Sequence, residues 1–90
     1  MNSENYPIEH QVERSRFVIV KDDKECILDY VIQSSSKETV IDFKNTYVPF
    51  ALRGQGFAEK LVEAGLAWAK EQGYQITASC WYVDKFLPMI

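Results

Sequence analysis

One helical pattern, bracketed by glycines at 56 and 73, stands between strand patterns on both sides, and that arrangement leaves few folds open. Along it, Glu59, Lys60, Glu63, Lys70 and Glu71 fall on one side, whereas Phe57, Leu61, Leu66, Trp68 and several alanines cover the rest. So wide an apolar arc suits a helix laid on a sheet. Upstream, residues 16–20 (RFVIV) form a β-branched run closed by the turn-like KDDKE. Residues 25–33 alternate Cys26, Leu28, Tyr30 and Ile32 against Ile27, Asp29 and Val31. Residues 39–48 alternate Ile41, Phe43, Asn45 and Tyr47 against Val40, Asp42, Lys44, Thr46 and Val48. Short polar turns between three consecutive strands predict an antiparallel meander. Pro49, which has no N–H to donate, ends the third strand.

Downstream, Gly73 is placed as a left-handed C-terminal cap, and residues 74–79 (YQITAS) follow as a fourth strand. Strand, helix and strand in succession make a βαβ-type crossover, so residues 75–79 are expected to run parallel to the third strand. The remaining CWYVDKFLPMI predicts a short helix stopped near Pro88. The expected fold class is therefore α+β: an antiparallel β-meander, one long helix crossing to a parallel strand, and a short C-terminal helix. Residues 1–7, which end in Tyr6-Pro7, are expected to be a flexible tail before one domain over residues 8–90.

Charge and cysteine usage narrow the function. A net charge of −3 argues against nucleic acid or an anionic membrane as partner, because both select a basic patch that releases counterions. Cys26 and Cys80 are the only cysteines and His10 the only histidine, with no metal-ligand spacing among them, so no metal site is expected. The start lacks a basic region followed by an apolar one, and no apolar run approaches a membrane span, so the expected location is cytoplasmic with both thiols reduced.

The segment between strand and helix carries the chemistry. The first N–H groups of a helix have no intrahelical acceptor, and the aligned peptide dipoles make that end partly positive. In RGQGFA, residues 53–58, Gly54 and Gly56 lack the Cβ atoms that would hold a phosphate away, Ala58 is the next smallest choice, and Arg53 and Gln55 can add charge and hydrogen bonds. The spacing is not that of a P-loop, which needs Lys-Ser/Thr after its second glycine. It is not the dinucleotide fingerprint either, whose third glycine would fall at Glu59.

The whole run Val48-Pro49-Phe50-Ala51-Leu52-Arg53-Gly54-Gln55-Gly56-Phe57-Ala58 resembles the acetyl-CoA signature Arg/Gln-x-x-Gly-x-Gly/Ala of the GNAT superfamily of N-acetyltransferases. More narrowly it is similar to the short GNAT-like subfamily, with its VP..LRGQG.A loop and a cysteine at the end of the next strand. The similarity runs from about Ile8 to Val83. It implies that acetyl-CoA or CoA is bound, with the N–H groups from Arg53 to Ala58, including Gln55, Gly56 and Phe57, on the pyrophosphate. It also implies that the pantetheine arm pairs like an extra strand near Tyr47 and Val48, and that Ser79, Cys80 and Trp81 flank the thioester. An open strand edge offers unpaired backbone groups to such an amide-rich arm.

Cys80 matches the subfamily's cysteine and has two readings: acetyl acceptance or close contact with the thioester, and a small residue fitted beside the ligand. Direct transfer to an ammonium acceptor needs a base. The subfamily's strand before the loop reads like HTEVP, whereas this chain reads NTYVP, so Asn45 and Tyr47 stand where a histidine and a glutamate are common. Asp29 and Asp42 are expected as solvated strand residues, His10 as a structural or edge residue, and Cys26 and Trp68 as core. Trp81 and Tyr82 either cover the pantetheine or pack the last helix. Longer members of the superfamily wall the acceptor site with extra N-terminal helices, in place of which this chain has a strand. The expected activity is transfer of acetyl from acetyl-CoA to an unidentified amine or a partner protein, and the alternative is a non-catalytic CoA-binding or sensing module.

Overall fold

Period-two patterning gathers Phe17, Ile19, Cys26, Leu28, Tyr30, Ile41 and Phe43 on one face of a sheet, and these residues are buried beneath the long helix. The computed structural model describes residues 7–87, so all but the last residue of the tail expected over residues 1–7, and the stop expected at Pro88, lie outside the described residues. The chain runs β1 (Glu9–Gln11), β2 (Arg16–Lys21), β3 (Lys24–Ser34), β4 (Thr39–Tyr47), α1 (Phe57–Gln72), β5 (Gln75–Ala78) and α2 (Trp81–Asp84). The strands lie in that order in one sheet. Every pairing is antiparallel except β4 with β5, which is parallel, as the crossover requires. The α+β meander with one long helix is thus observed, with an additional strand, β1, at its edge.

Three residues with little strand propensity do not announce β1, and tertiary packing holds it instead. The His10 ring stacks on Phe17 at 4.0 Å, meets the Trp68 edge at 4.5 Å and shares a hydrogen bond of 2.6 Å with the Tyr30 hydroxyl. Burial lowers the His10 pKa. His10 is therefore a structural residue in an aromatic cluster under the C-terminal half of α1.

The helix ends follow the glycines. Gly56 and Gly73 both adopt the left-handed conformation, at φ 83° and 77°. At the C-terminus the Gly73 N–H donates to Lys70 O and the Tyr74 N–H to Ala69 O, each at 3.1 Å, which is the Schellman pattern. Midway, Gly65 lets α1 approach the sheet closely. A Cβ there would lie 2.9 Å from both Leu28 Cδ2 and Phe43 Cε1.

One part of the β4 pattern is corrected. Asp29 pairs with Asn45 but its neighbour Tyr30 pairs with Phe43, so Lys44 is an extra, bulged residue. A bulge reverses the alternation beyond it. Asn45 and Tyr47 therefore do not share the face of Ile41 and Phe43. They oppose Asp29 and Ile27 on the outer face, while Thr46 opposes Leu28 and turns toward the helix side.

Candidate functional site

After Pro49 the chain makes one 3₁₀ turn over Phe50–Leu52 and then the glycine loop. Pro49, Leu52 and Phe57 are buried, so apolar anchors pin the loop at both ends while residues 53–56 between them are exposed. Gly54 and Gly56 have φ of 81° and 83°. A Cβ on either would meet no atom within 4 Å, so packing does not require glycine at these positions. Among the described residues no side chain caps α1, and its first-turn N–H groups face the loop without an intrahelical acceptor. Arg53 braces the loop at its base: Nε donates to Val48 O at 2.9 Å, and the guanidinium lies 5.7 Å from the Phe50 ring centroid. Gln55 is tied from outside, its Oε1 accepting from Lys21 Nζ at 3.0 Å.

This loop forms one wall of a groove. A cleft of about 280 Å³ is lined by Val48, Leu52, Gly54, Gly56, Phe57 and Glu59 among others. A second, of about 330 Å³, is lined by Thr46, Tyr47, Val48, Arg53, Ala58 and Tyr82. Val48, Arg53, Ala58 and Tyr82 belong to both, so the two make one continuous groove from the α1 N-terminus to the end of β4. The groove exists because β4 and β5 part. Their register ends at Phe43 opposite Ala78, and the last backbone bond between them runs from the Cys80 N–H to Phe43 O at 3.1 Å. Beyond Phe43, β4 has a strand partner among the described residues only on its β3 side.

Cys80 stands at this fork. Its Sγ is 3.6 Å from Thr46 Oγ1, a contact that the Lys44 bulge creates by turning Thr46 inward. Burial by itself would raise the thiol pKa. The Val83 N–H, the Thr46 side chain, and the N–H groups of Tyr82 and Thr46 act in the opposite direction and prevail, so the pKa is lowered from 9.0. Cys26, fully buried in the core, is shifted upward by burial. Cys80 is accordingly expected to react with iodoacetamide in the folded protein while Cys26 does not. Its rate should rise with pH to a half-maximum below 9.0, and Thr46→Val should move that midpoint upward. Equal labelling of both thiols, or an unchanged midpoint in Thr46→Val, would contradict this account.

The structure brings most of the anticipated residues together and sets two apart. Tyr47, Val48, Arg53, Gly54, Gly56, Phe57 and Ala58 line the groove, and Cys80 touches it through Thr46. Gln55 reaches away to Lys21, and Trp81 is 74% exposed with Lys85 Nζ 5.1 Å from its ring centroid. Of the two aromatic candidates Trp81 and Tyr82, it is Tyr82 that lines the groove, because a helix beginning at Trp81 turns its second residue toward the fork. Its pKa is raised by burial and by the charges of Glu59 and Cys80. The strand aspartates are engaged on the outer face: Asp29 accepts from Asn45 Nδ2 at 3.2 Å, and Asp42 from the Thr77 and Ser79 hydroxyls at 2.8 and 2.7 Å. Among the described residues no group of three or more histidine, cysteine or acidic side chains could hold a metal, and no helix is long and apolar enough to cross a membrane.

Thr46 and Glu59 line the groove although the sequence reading did not select them. Only Thr46 left a trace, since the apolar alternation of β4 fails at Asn45.

Comparison with known proteins gives a consistent picture. A family model described as GCN5-related N-acetyl-transferase matches residues 16–89. Protein NATD1 of Bos taurus is 30% identical over 84 residues, which are 89% of this chain and 70% of that protein. Its Homo sapiens counterpart is 29% identical over the same shares. Among solved structures, an aminoglycoside acetyltransferase from an uncultured soil metagenomic sample superposes with a TM-score of 0.57 at 16% identity, covering 99% of this chain and 68% of that one. A tetramutant of the BH1408 protein from Bacillus halodurans gives 0.53 at 17% identity over 77% of this chain. A probable acetyltransferase gives 0.52 at 19% over 78%. The chain spans about half the length of these last two, 50% and 52%.

Proposed function

This chain belongs to the GCN5-related N-acetyltransferase family, and from that premise we propose that it binds acetyl-CoA in the groove and transfers the acetyl group to an amine. The observation that carries the reading is the uncapped first turn of α1 behind two left-handed glycines whose missing Cβ atoms leave open space. That is a cradle for a diphosphate. The N–H groups of residues 53–58 would hold it, and the β5-facing edge of β4 between Lys44 and Val48 would take the amides of the pantetheine arm. Val48 O already accepts from Arg53, so Arg53 fixes that edge as well as adding charge. Main-chain donors at the fork would stabilise charge on the acetyl carbonyl oxygen, and Cys80 lies where the thioester would come.

A second reading, a CoA-binding or sensing module without turnover, is favoured by one observation. The fork end of the groove is lined by Thr46, Tyr47, Val48, Arg53, Ala58 and Tyr82, with neither carboxylate nor imidazole among them. His10 belongs to the aromatic cluster below the other end of α1.

Thermal denaturation with and without acetyl-CoA tests binding. At about 100 times its dissociation constant the ligand adds roughly 2.7 kcal/mol. For a domain of this size that raises Tm by roughly 10 °C or more. An unchanged Tm would exclude both readings. Release of the CoA thiol in the presence of polyamines, amino acids or lysine peptides then separates transfer from binding alone.

A further inference from the structure

Asp42 stands on the outer face of the sheet between two unlike neighbours, Val31 on β3 and Thr77 on β5. Val31 has no polar side-chain atom, and both carboxylate oxygens turn to β5. Oδ1 accepts from Thr77 Oγ1 at 2.8 Å and Oδ2 from Ser79 Oγ at 2.7 Å. Hydroxyl-to-carboxylate bonds of this length are charge-assisted. The two bonds differ in place. Thr77 is the register partner of Asp42, inside the ladder, and its hydroxyl also lies 3.5 Å from Ile41 O. Ser79 lies past the last register pair, Phe43 with Ala78, so Asp42 reaches diagonally to a residue that the ladder no longer holds. On the next residue the Cys80 N–H donates to Phe43 O at 3.1 Å. Residues 79 and 80 are thus tied to residues 42 and 43, one through side chains on the outer face and one through the backbone. Directly after these ties the strands part and α2 begins, with Cys80 as its N-cap.

We propose that Asp42 is the positioning residue of the fork: by holding Ser79 against β4, its carboxylate fixes where the two strands part and so seats Cys80 and Tyr82 in the groove. The inference rests on the reading of the groove as an acetyl-CoA site. The end of a ladder is where a strand pair frays, because each residue there has lost its next neighbour. A fork that must stay open for a ligand on one side therefore needs an anchor at its branch point. Asp42 supplies one without occupying the groove, since it is not among the lining residues of either cleft. Freed from it, Ser79 and Cys80 could drift away from β4, and the contact of Cys80 Sγ with Thr46 Oγ1 at 3.6 Å would loosen with them.

The test compares the two hydroxyls that share Asp42, with three readouts on the full chain: CoA affinity by isothermal titration, the pH midpoint of Cys80 alkylation without CoA, and the melting temperature. Thr77 and Ser79 are both exposed, so removing either hydroxyl leaves no buried polar group unpaired. Ser79→Ala should weaken CoA binding about fivefold and raise the alkylation midpoint. Thr77→Val, which removes the tie inside the ladder, should leave both within about twofold of the wild type. Asp42→Ala keeps the Ser79 hydroxyl yet should reproduce the Ser79→Ala change, and the double variant Asp42→Ala/Ser79→Ala should be no worse than Asp42→Ala alone. Asp42→Asn, whose amide can accept from one hydroxyl and donate to the other, should restore most of the affinity. A Ser79→Ala protein that melts like the wild type and matches it in either CoA affinity or alkylation midpoint would overturn the inference while leaving the groove reading intact. An equal loss in Thr77→Val would overturn it too, by showing that the carboxylate serves only general stability. Absence of CoA binding by the wild type would overturn the groove reading and the inference with it.

Discussion

Replacing Phe43 by alanine should destabilise the domain by about 3–5 kcal/mol, the range for removing a fully buried aromatic ring. Phe43 is 0% exposed and is packed from both sides. Tyr30 meets its edge with ring centroids 6.2 Å apart, and α1 comes so close at Gly65 that an added Cβ would stand 2.9 Å from Phe43 Cε1. A small domain holds only about 5–15 kcal/mol in total. Tm should therefore fall by at least about 12 °C. The same contact predicts a reversal of sign at Gly65. In the wild type, Gly65→Ala gains helix propensity, worth about 0.5–1 kcal/mol. It also forces its methyl against Phe43 and Leu28, and overpacking costs about 1–3 kcal/mol. With Phe43→Ala already in place the contact with Phe43 is gone and Leu28 Cδ2, the other atom at 2.9 Å, has the vacated space to shift into, so Gly65→Ala should become stabilising. Urea melts of the four proteins in a double-mutant cycle measure the coupling. Additive effects would show that the two residues do not share one space.

The parts of this molecule legible in the sequence are those set by local pattern. Helix period and the two glycines placed α1 within one residue at each end, because cap conformation depends on the residue that adopts it. Alternation and turn composition placed β2, β3, β4 and β5, and the length of the crossover gave the parallel pairing. What was hidden depends on contacts distant in sequence. The bulge at Lys44 follows from how β4 must meet β3, and a period-two reading continues straight through it. It thereby assigned Asn45, Thr46 and Tyr47 to the wrong faces, which matters because Thr46 is the partner of Cys80. β1 owes its existence to a His10 ring that finds Phe17 and Tyr30 only in the folded sheet. At α2 the residue types were right and the rotation was not: in a single turn of helix, whether Trp81 or Tyr82 faces the groove is decided by where the turn begins.

Alanine at Gly54 or Gly56 should lower affinity for CoA by about 100-fold, as expected if the methyl displaces the phosphate from about two charged hydrogen bonds. The same changes should cost the folded protein little. Both glycines have positive φ, so a side chain there pays the left-handed penalty of about 1–2 kcal/mol. A Cβ on either meets no protein atom within 4 Å, so no clash is added. Gly73 supplies an internal control: it has the same sign of φ, 77°, and the same open surroundings, yet it caps the opposite end of α1. Gly73→Ala should therefore lose a similar amount of stability and bind CoA like the wild type. Urea melts paired with titration of CoA separate the two effects. If all three variants lose affinity together, the loss reflects general weakening of α1 rather than a phosphate cradle. If none does, the space left by the missing Cβ atoms is not where the ligand sits. Only loss at Gly54 and Gly56 with retention at Gly73 ties the left-handed glycines to a ligand, because conformational strain is common to all three and proximity to the groove is not.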